Sequence, residues 1–162
     1  GLMMGTRSGA IDPGVLLYLM ESQGYSAADV SRLLYRRSGL LGVSGISGDM
    51  RTLEASEDPA AAEALALFAR MAQQQIAAMA ANIGGLDVLV FTGGIGENAV
   101  GMRADICEGL RWMGVDLDIG ANRARASRIN AAGSAVQILI LPTDEEAVIA
   151  AAAFSLSVQL AV

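Results

Sequence analysis

The 162 residues are 53% hydrophobic and 17% charged, a balance that excludes a disordered tail and suffices for one domain with its own core. A net charge of -6, with the 11 Lys and Arg forming no run, argues against nucleic acid or an anionic membrane surface as a partner. The lone Cys107 excludes an internal disulfide and fits a reducing compartment, and the lack of histidine denies this chain His-based acid–base or metal chemistry of its own.

In chain order, residues 1–14 read as a glycine-rich loop closing on Asp12-Pro13, an N-cap followed by proline at the first helical position. No basic stretch followed by an apolar one opens the chain, so no signal peptide is expected, and a start at Gly1 rather than Met is compatible with a fragment. A helix over 15–23 ends at Gly24. Ser26 with Asp29 forms a capping-box pattern for a second helix ending near Ser38-Gly39. Residues 40–51 read as a Gly/Ser-rich loop, too apolar for a free linker and expected to be packed and functional. Asp58-Pro59 opens the longest helix, to about Asn82, with Leu65, Phe68, Ala72, Ile76, Met79 and Ile83 as one buried stripe. The methionines read as core packing.

The centre of the chain is the stretch 86–98. Val88 to Phe91 is an apolar run of strand length, which turns through Gly93, Gly94 and Gly96 into a helix-like segment over 99–112. A strand, a glycine turn and a helix start form a common anion-holding unit. The spacing is neither GxxxxGK[ST] nor GxGxxG, so a nucleotide turn and an ordinary strand–helix turn both stay open. Residues 115–118 alternate like a short strand, 121–132 read as a basic, solvated helix or loop, and 136–141 as a second apolar strand. Pro142-Thr143-Asp144 caps a last helix from Glu145 to about Leu160. Residues 147–162 carry no charge but include Ser155, Ser157 and Gln159, too short and polar a run to cross a bilayer, and read as a buried helix. Cys107, near Ile106 and Leu110 on an apolar face, reads as buried and inert. Helices interleaved with strands give an α/β class with a thin sheet.

Four stretches stand in order along the chain: Gly-Leu-Met-Met-Gly-Thr-Arg-Ser-Gly, Gly-Val-Ser-Gly-Ile-Ser-Gly-Asp-Met-Arg, Phe-Thr-Gly-Gly-Ile-Gly-Glu-Asn and Leu-Pro-Thr-Asp-Glu-Glu. Together they resemble the acetate kinase family of acetate and propionate kinases, within the actin/Hsp70/sugar-kinase superfamily of ribonuclease H-like ATPase domains. The resemblance covers essentially the whole chain and corresponds to the C-terminal part of such an enzyme. It implies a single, partial nucleotide-binding domain over 1–162, whose last helix at about 145–160 packs against an N-terminal domain not in this chain. It further implies direct in-line transfer of phosphate from ATP to acetate, giving ADP and acetyl phosphate, with Mg²⁺, in a cytoplasmic homodimer without nucleic-acid or membrane partners. Because the family's N-terminal half supplies the carboxylate grip and further catalytic groups, this chain alone is expected to be inactive. Propionate or butyrate kinase is one alternative, and a non-catalytic nucleotide-binding domain of the same superfamily is another.

The resemblance also assigns roles, each beside a plainer reading of the residue. Arg7 matches the arginine that stabilises the transferring phosphoryl group, a task suited to a planar, permanent cation; the plainer reading is a solvated loop arginine. The family commonly has Asp where this chain has Ala10, which alters that loop's hydrogen bonding. Asp49, Met50 and Arg51 match an adenosine-binding loop, and Asp49 could equally be an N-cap with Arg51 in solvent. Gly94, Ile95, Gly96, Glu97 and Asn98 match a second nucleotide segment, in which Asn98 could also be an N-cap. Glu145 matches the Mg²⁺-associated glutamate, although acidic residues in a first helical turn also offset the helix dipole.

Overall fold

A computed structural model describes residues 1–160; the side chains of Glu145, Val148 and residues 155–160, and all of residues 161–162, lie outside that description. Helix α1 (Pro13–Glu21) starts where Asp12 Oδ1 accepts from the Gly14 N–H at 2.7 Å. Helix α2 (Ala27–Arg36) starts at the Ser26/Asp29 capping box, with both reciprocal bonds formed. The stretch expected as a loop over 40–51 is instead helix α3 (Gly39–Ser44), a turn, and the start of helix α4 (Met50–Glu54). Leu40 is fully buried, and Ser44 Oγ donates to the Leu40 carbonyl at 2.7 Å while accepting from the Ile46 and Ser47 N–H groups. The serine side chain thus completes the backbone hydrogen bonding where α3 ends, which is why a Gly/Ser-rich sequence packs here as a helix and tight turn.

Helix α5 (Pro59–Ile83) has the expected start, length and Gly84 terminus. Its buried face differs from the expected stripe. Ala61, Ala64, Ala69, Ala72 and Ala80 point inward, Leu65, Phe68 and Ile76 are half-buried, and Met79 and Ile83 lie exposed. Periodicity marks apolar residues whatever their size, whereas the close approach of α5 to α3, α4 and α7 selects the small ones. The methionines divide likewise: Met3, Met50 and Met102 are buried, while Met4, Met20 and Met79 are exposed.

Strands β1 (Val88–Phe91) and β2 (Gln137–Ile140) pair in parallel, Val88 opposite Gln137 and Phe91 opposite Ile140. Leu89, Phe91, Ile138 and Ile140 face the core. After β1 come helices α6 (Gly93–Asn98) and α7 (Val100–Gly109), then a 3₁₀ turn (Arg111–Met113) and helix α8 (Ile119–Arg123). The glycine run is therefore itself a helical turn. Residues 115–118 make no strand; Leu117 alone bridges Asn130, and Asp118 is spent as the N-cap of α8, accepting from Ala121 N–H at 2.9 Å. Nor is 121–132 solvated throughout, since Asn122 and Ile129 are fully buried. Cys107 is buried as expected, and burial pushes its thiol up to about 12, leaving it protonated and unreactive at neutral pH.

Helix α9 (Glu145–Leu160) follows β2, with Asp144 Oδ1 accepting from Ala147 N–H at 2.9 Å. It was expected to be buried, yet Ile149 is 68% exposed. Composition cannot distinguish a helix covered by its own chain from one presented outward. Among the described residues no helix is long and apolar enough to cross a membrane.

The N-terminal loop joins this body through its backbone. Leu40 N–H donates to Met4 O, Leu41 N–H to Gly5 O and Ser38 N–H to Thr6 O, all at 2.9–3.0 Å. Gly5 and Gly48 then meet back to back: a Cβ on Gly5 would sit 2.5 Å from Gly48 O, and one on Gly48 2.8 Å from Gly5 O. Both obstacles are backbone atoms and cannot swing aside. Gly5→Ala is therefore expected to destabilise by about 1–3 kcal/mol, read as a lowered urea midpoint; an unchanged midpoint would show that the contact is loose.

Candidate functional site

A cleft of about 730 Å³ opens between the start of α4 and helix α6, a size suited to a small organic ligand. Gly48, Asp49, Met50 and Arg51 line one wall and Gly94, Ile95, Asn98 and Ala99 the other, with Glu54 and Arg125 also bordering it. Six of the residues singled out in the sequence thus converge: Asp49, Met50, Arg51, Gly94, Ile95 and Asn98. Gly96, Glu97 and Arg7 do not line this cleft, and the Glu145 side chain lies outside the described residues.

On the first wall, Asp49 is the N-cap of α4, its Oδ1 accepting from Arg51 N–H at 2.8 Å. The Arg51 guanidinium folds back onto the same carboxylate, at 3.3 Å through Nε and 2.9 Å through Nη2. These bonds, the side-chain one foremost, hold the Asp49 carboxyl below its usual range. The N-cap reading of Asp49 is realised, and Arg51 lies in solvent as that reading expected, its side chain 86% exposed, though it is paired to the Asp49 carboxylate at the cleft edge. Met50 is buried under them.

The three glycines of the stretch that carries the second wall differ in what constrains them. Gly93 has φ +70°, a left-handed conformation. A Cβ on Gly96 would lie 3.1 Å from the Phe91 backbone, a tight approach to β1 that a larger residue could make only with a shift of a few tenths of an ångström. Gly94 has neither constraint: its φ is ordinary and a Cβ would meet nothing within 4 Å. Nothing in the protein demands glycine at this position, which lines the cleft. Asn98 does not cap α7, because its Nδ2 donates back to Gly94 O at 2.9 Å.

Glu97 points away from the cleft and ties the strand ends together. Its Oε1 accepts from Gly93 N–H at 2.9 Å, and from Thr143 N–H and Oγ1 at 3.1 Å each. The first N–H of the glycine turn is thus already taken by a carboxylate. These bonds, led by that from the Thr143 backbone, lower the Glu97 pKa from 4.5. A carboxylate with a lowered folded pKa adds stability that is complete above about 4.5 and disappears as pH falls through the lowered value. Glu97→Gln should accordingly be less stable than the parent at pH 7, with the gap narrowing below pH 4.5 in urea titrations. A gap independent of pH would show that the charge plays no part.

Arg103 was not foreseen. It is 1% exposed and donates from Nε to Asn122 Oδ1 (2.7 Å), from Nη1 to Gly96 O (2.8 Å) and from Nη2 to Asn122 O (3.2 Å). Asn122 Nδ2 in turn donates to Val100 O at 3.0 Å. One buried guanidinium thus joins α6, α7 and α8, with desolvation lowering its pKa. The available signal was its place one helical turn before the buried Cys107, a charge set on an apolar face. Arg103→Met would leave Gly96 O and Asn122 without their partner and is expected to destabilise by about 2–4 kcal/mol, lowering the thermal midpoint. A variant that melts with the parent would contradict the bracing role.

Arg7 lies in a separate hollow of about 230 Å³ with Met4, Gly9, Leu34 and Tyr35. Its guanidinium carbon sits 4.7 Å from the Tyr35 ring centroid, a cation–π contact that holds the cation over α2. Gly5 of the same loop meets Gly48, which lines the cleft's first wall. At the altered position, Ala10 N–H donates to Gly1 O at 2.9 Å.

Against known proteins, the acetokinase family model matches residues 1–151. The chain belongs to that family. An acetate kinase of Rhodopseudomonas palustris (strain TIE-1) is 54% identical over 152 residues, covering 93% of this chain and 38% of the relative. The crystal structure of Porphyromonas gingivalis acetate kinase superposes with a TM-score of 0.87 at 42% identity, over 96% of this chain and 40% of that one. A propionate kinase from Francisella tularensis subsp. tularensis SCHU S4 superposes with a TM-score of 0.85 at 38% identity, over 90% and 38%. This acetokinase chain therefore spans about two fifths of the length of the relatives it matches, and its α/β fold is the actin/Hsp70/sugar-kinase-like fold of acetate kinases.

Proposed function

We propose that this chain is the nucleotide-binding portion of an acetate kinase-type phosphotransferase, which passes a phosphoryl group directly between ATP and acetate. The observation that carries this reading is the cleft itself. Two stretches 43 residues apart in sequence, one ending at Arg51 and the other beginning at Gly94, face each other across it, and Gly94 keeps its wall clear where no internal contact requires glycine. A flat base and ribose fit such a space, with Asp49 accepting from a ribose hydroxyl, Asn98 and Arg51 at the nucleoside edges, and Ile95 and Met50 giving apolar contact. The Gly5–Gly48 contact sets the Arg7 loop beside this wall, so that Arg7 offsets charge on the equatorial oxygens during transfer while acetate is held by parts of the enzyme outside this chain.

In this reading Mg²⁺ screens the nucleotide phosphates. Among the described residues no group of three or more metal-ligating side chains converges. A hard cation that keeps most of its waters needs only one or two carboxylates beside the phosphates, the role this reading gives to Glu145, whose side chain lies outside the described residues. Residues 1–162 then act as one partial nucleotide-binding domain, with α9 packing on the remainder of a cytoplasmic homodimer. The Francisella structure keeps propionate as a second acyl substrate in view.

Calorimetric titration of this chain with ADP, with and without Mg²⁺, tests the proposal. Gly94→Val should abolish saturable binding while changing stability by no more than about 1 kcal/mol, because a Cβ at this position meets nothing within 4 Å. Asp49→Ser, which keeps an N-cap residue but withdraws the carboxylate, should weaken ADP about tenfold or more, the scale of a charge-assisted hydrogen bond. Undiminished binding by both variants would place the nucleotide elsewhere.

A further inference from the structure

Arg125 borders the cleft, though the basic segment around it reads from sequence as a solvated face. Three observations set it apart. Its φ of +53° is the one positive value found for a non-glycine residue among those described, a conformation that sterics disfavour for a long side chain. Neighbouring bonds hold it there: Arg125 N–H donates to Asn122 O at 3.1 Å and Ala126 N–H to Ala121 O at 3.1 Å, while Asn122 is itself clamped by the buried Arg103. Finally, its guanidinium is exposed and forms no ion pair among the described residues, reaching only Asn98 O through Nη2 at 3.4 Å. Arg51, across the cleft, already has its charge matched by Asp49 at 2.9 Å. The backbone thus holds a cation whose planar head has no carboxylate to satisfy it at the edge of a ligand-sized space.

Which part of a nucleotide it meets follows from the two ends of the cleft. The Arg7 loop abuts Gly48, which marks that end for the phosphates. Arg125 is joined instead to Asn98, the last residue of α6. Resting on the nucleotide reading above, we infer that Arg125 is a recognition residue for the nucleobase, its guanidinium plane lying against the purine opposite the Asp49–Arg51 wall. A delocalised, weakly hydrated cation is suited to that face, and a lysine at the same place is not.

The test is calorimetric titration of the 162-residue chain and two variants, Arg125→Gly and Arg125→Lys, with ADP and with adenosine. Glycine suits the positive φ, so that variant removes the side chain without adding backbone strain. Both variants should melt with the parent. Arg125→Gly should weaken adenosine and ADP by the same factor, about three- to thirtyfold, the range of a cation–π contact, and Arg125→Lys should recover little of it. A loss confined to ADP, or full recovery by lysine, would make the residue a phosphate contact and overturn the base assignment. Unchanged binding of both ligands would remove Arg125 from the site while leaving the nucleotide reading intact. A parent chain that binds neither ligand would defeat the nucleotide reading, and this inference with it.

Discussion

Parallel pairing of β1 and β2 fixes the geometry on which the cleft depends. With Phe91 opposite Ile140, the two strands end side by side and release their following segments at the same edge of the sheet. α6 leaves from one end and the Pro142–Asp144 turn from the other, as ligand sites in parallel α/β sheets are generally built. Gly96 packs on the Phe91 backbone and Glu97 bridges Gly93 to Thr143. A one-residue slip of β2 would turn Ile138 and Ile140 away from the core that Leu89 and Phe91 face. The same slip would carry Thr143 away from Glu97, so core and site edge are set by one register.

A second constraint acts from behind the cleft. Arg103 is a charge taken out of water with three oxygen acceptors, two from one asparagine and one from the α6 backbone. Such a group is poor at adding net stability and good at defining a single arrangement, because its loss leaves buried acceptors unpaired. Here it fixes α6 relative to α8. Asn98 and Arg125, which border the cleft, each belong to or directly follow an element this guanidinium grips. The opposite wall is fixed by smaller means: a serine closing α3, an aspartate capping α4, and two glycines whose backbones touch.

Much of this was legible in the chain, because the signals were local. Asp12-Pro13, Ser26 with Asp29, and Asp58-Pro59 each open a helix where expected, since a cap satisfies orphan N–H groups within three residues of itself. The strands at Val88–Phe91 and Gln137–Ile140 were visible as short apolar runs. Both cleft walls fall within two of the four motifs read in order along the chain, and the family match over 1–151 agrees with the resemblance those motifs carried. The expected strand over 115–118 failed because Asp118 is used as a cap, and the expected stripe on α5 failed because close packing chose alanines over larger residues.

The sequence by itself therefore determined the α/β class, the main helix starts, the burial of Cys107 and the family to which the chain belongs, all through residue chemistry acting over a few positions. Only the tertiary structure placed Arg7 in its own hollow, distinguished Gly93 and Gly96, which internal geometry constrains, from Gly94, which it does not, directed Glu97 to Thr143, and brought Arg125 to the cleft edge. These outcomes join residues far apart in the chain, Gly96 with Asn122 by way of Arg103 and Glu97 with Thr143, the last pair 46 positions apart. No short-range pattern encodes them, because each depends on which surfaces the packed helices bring face to face.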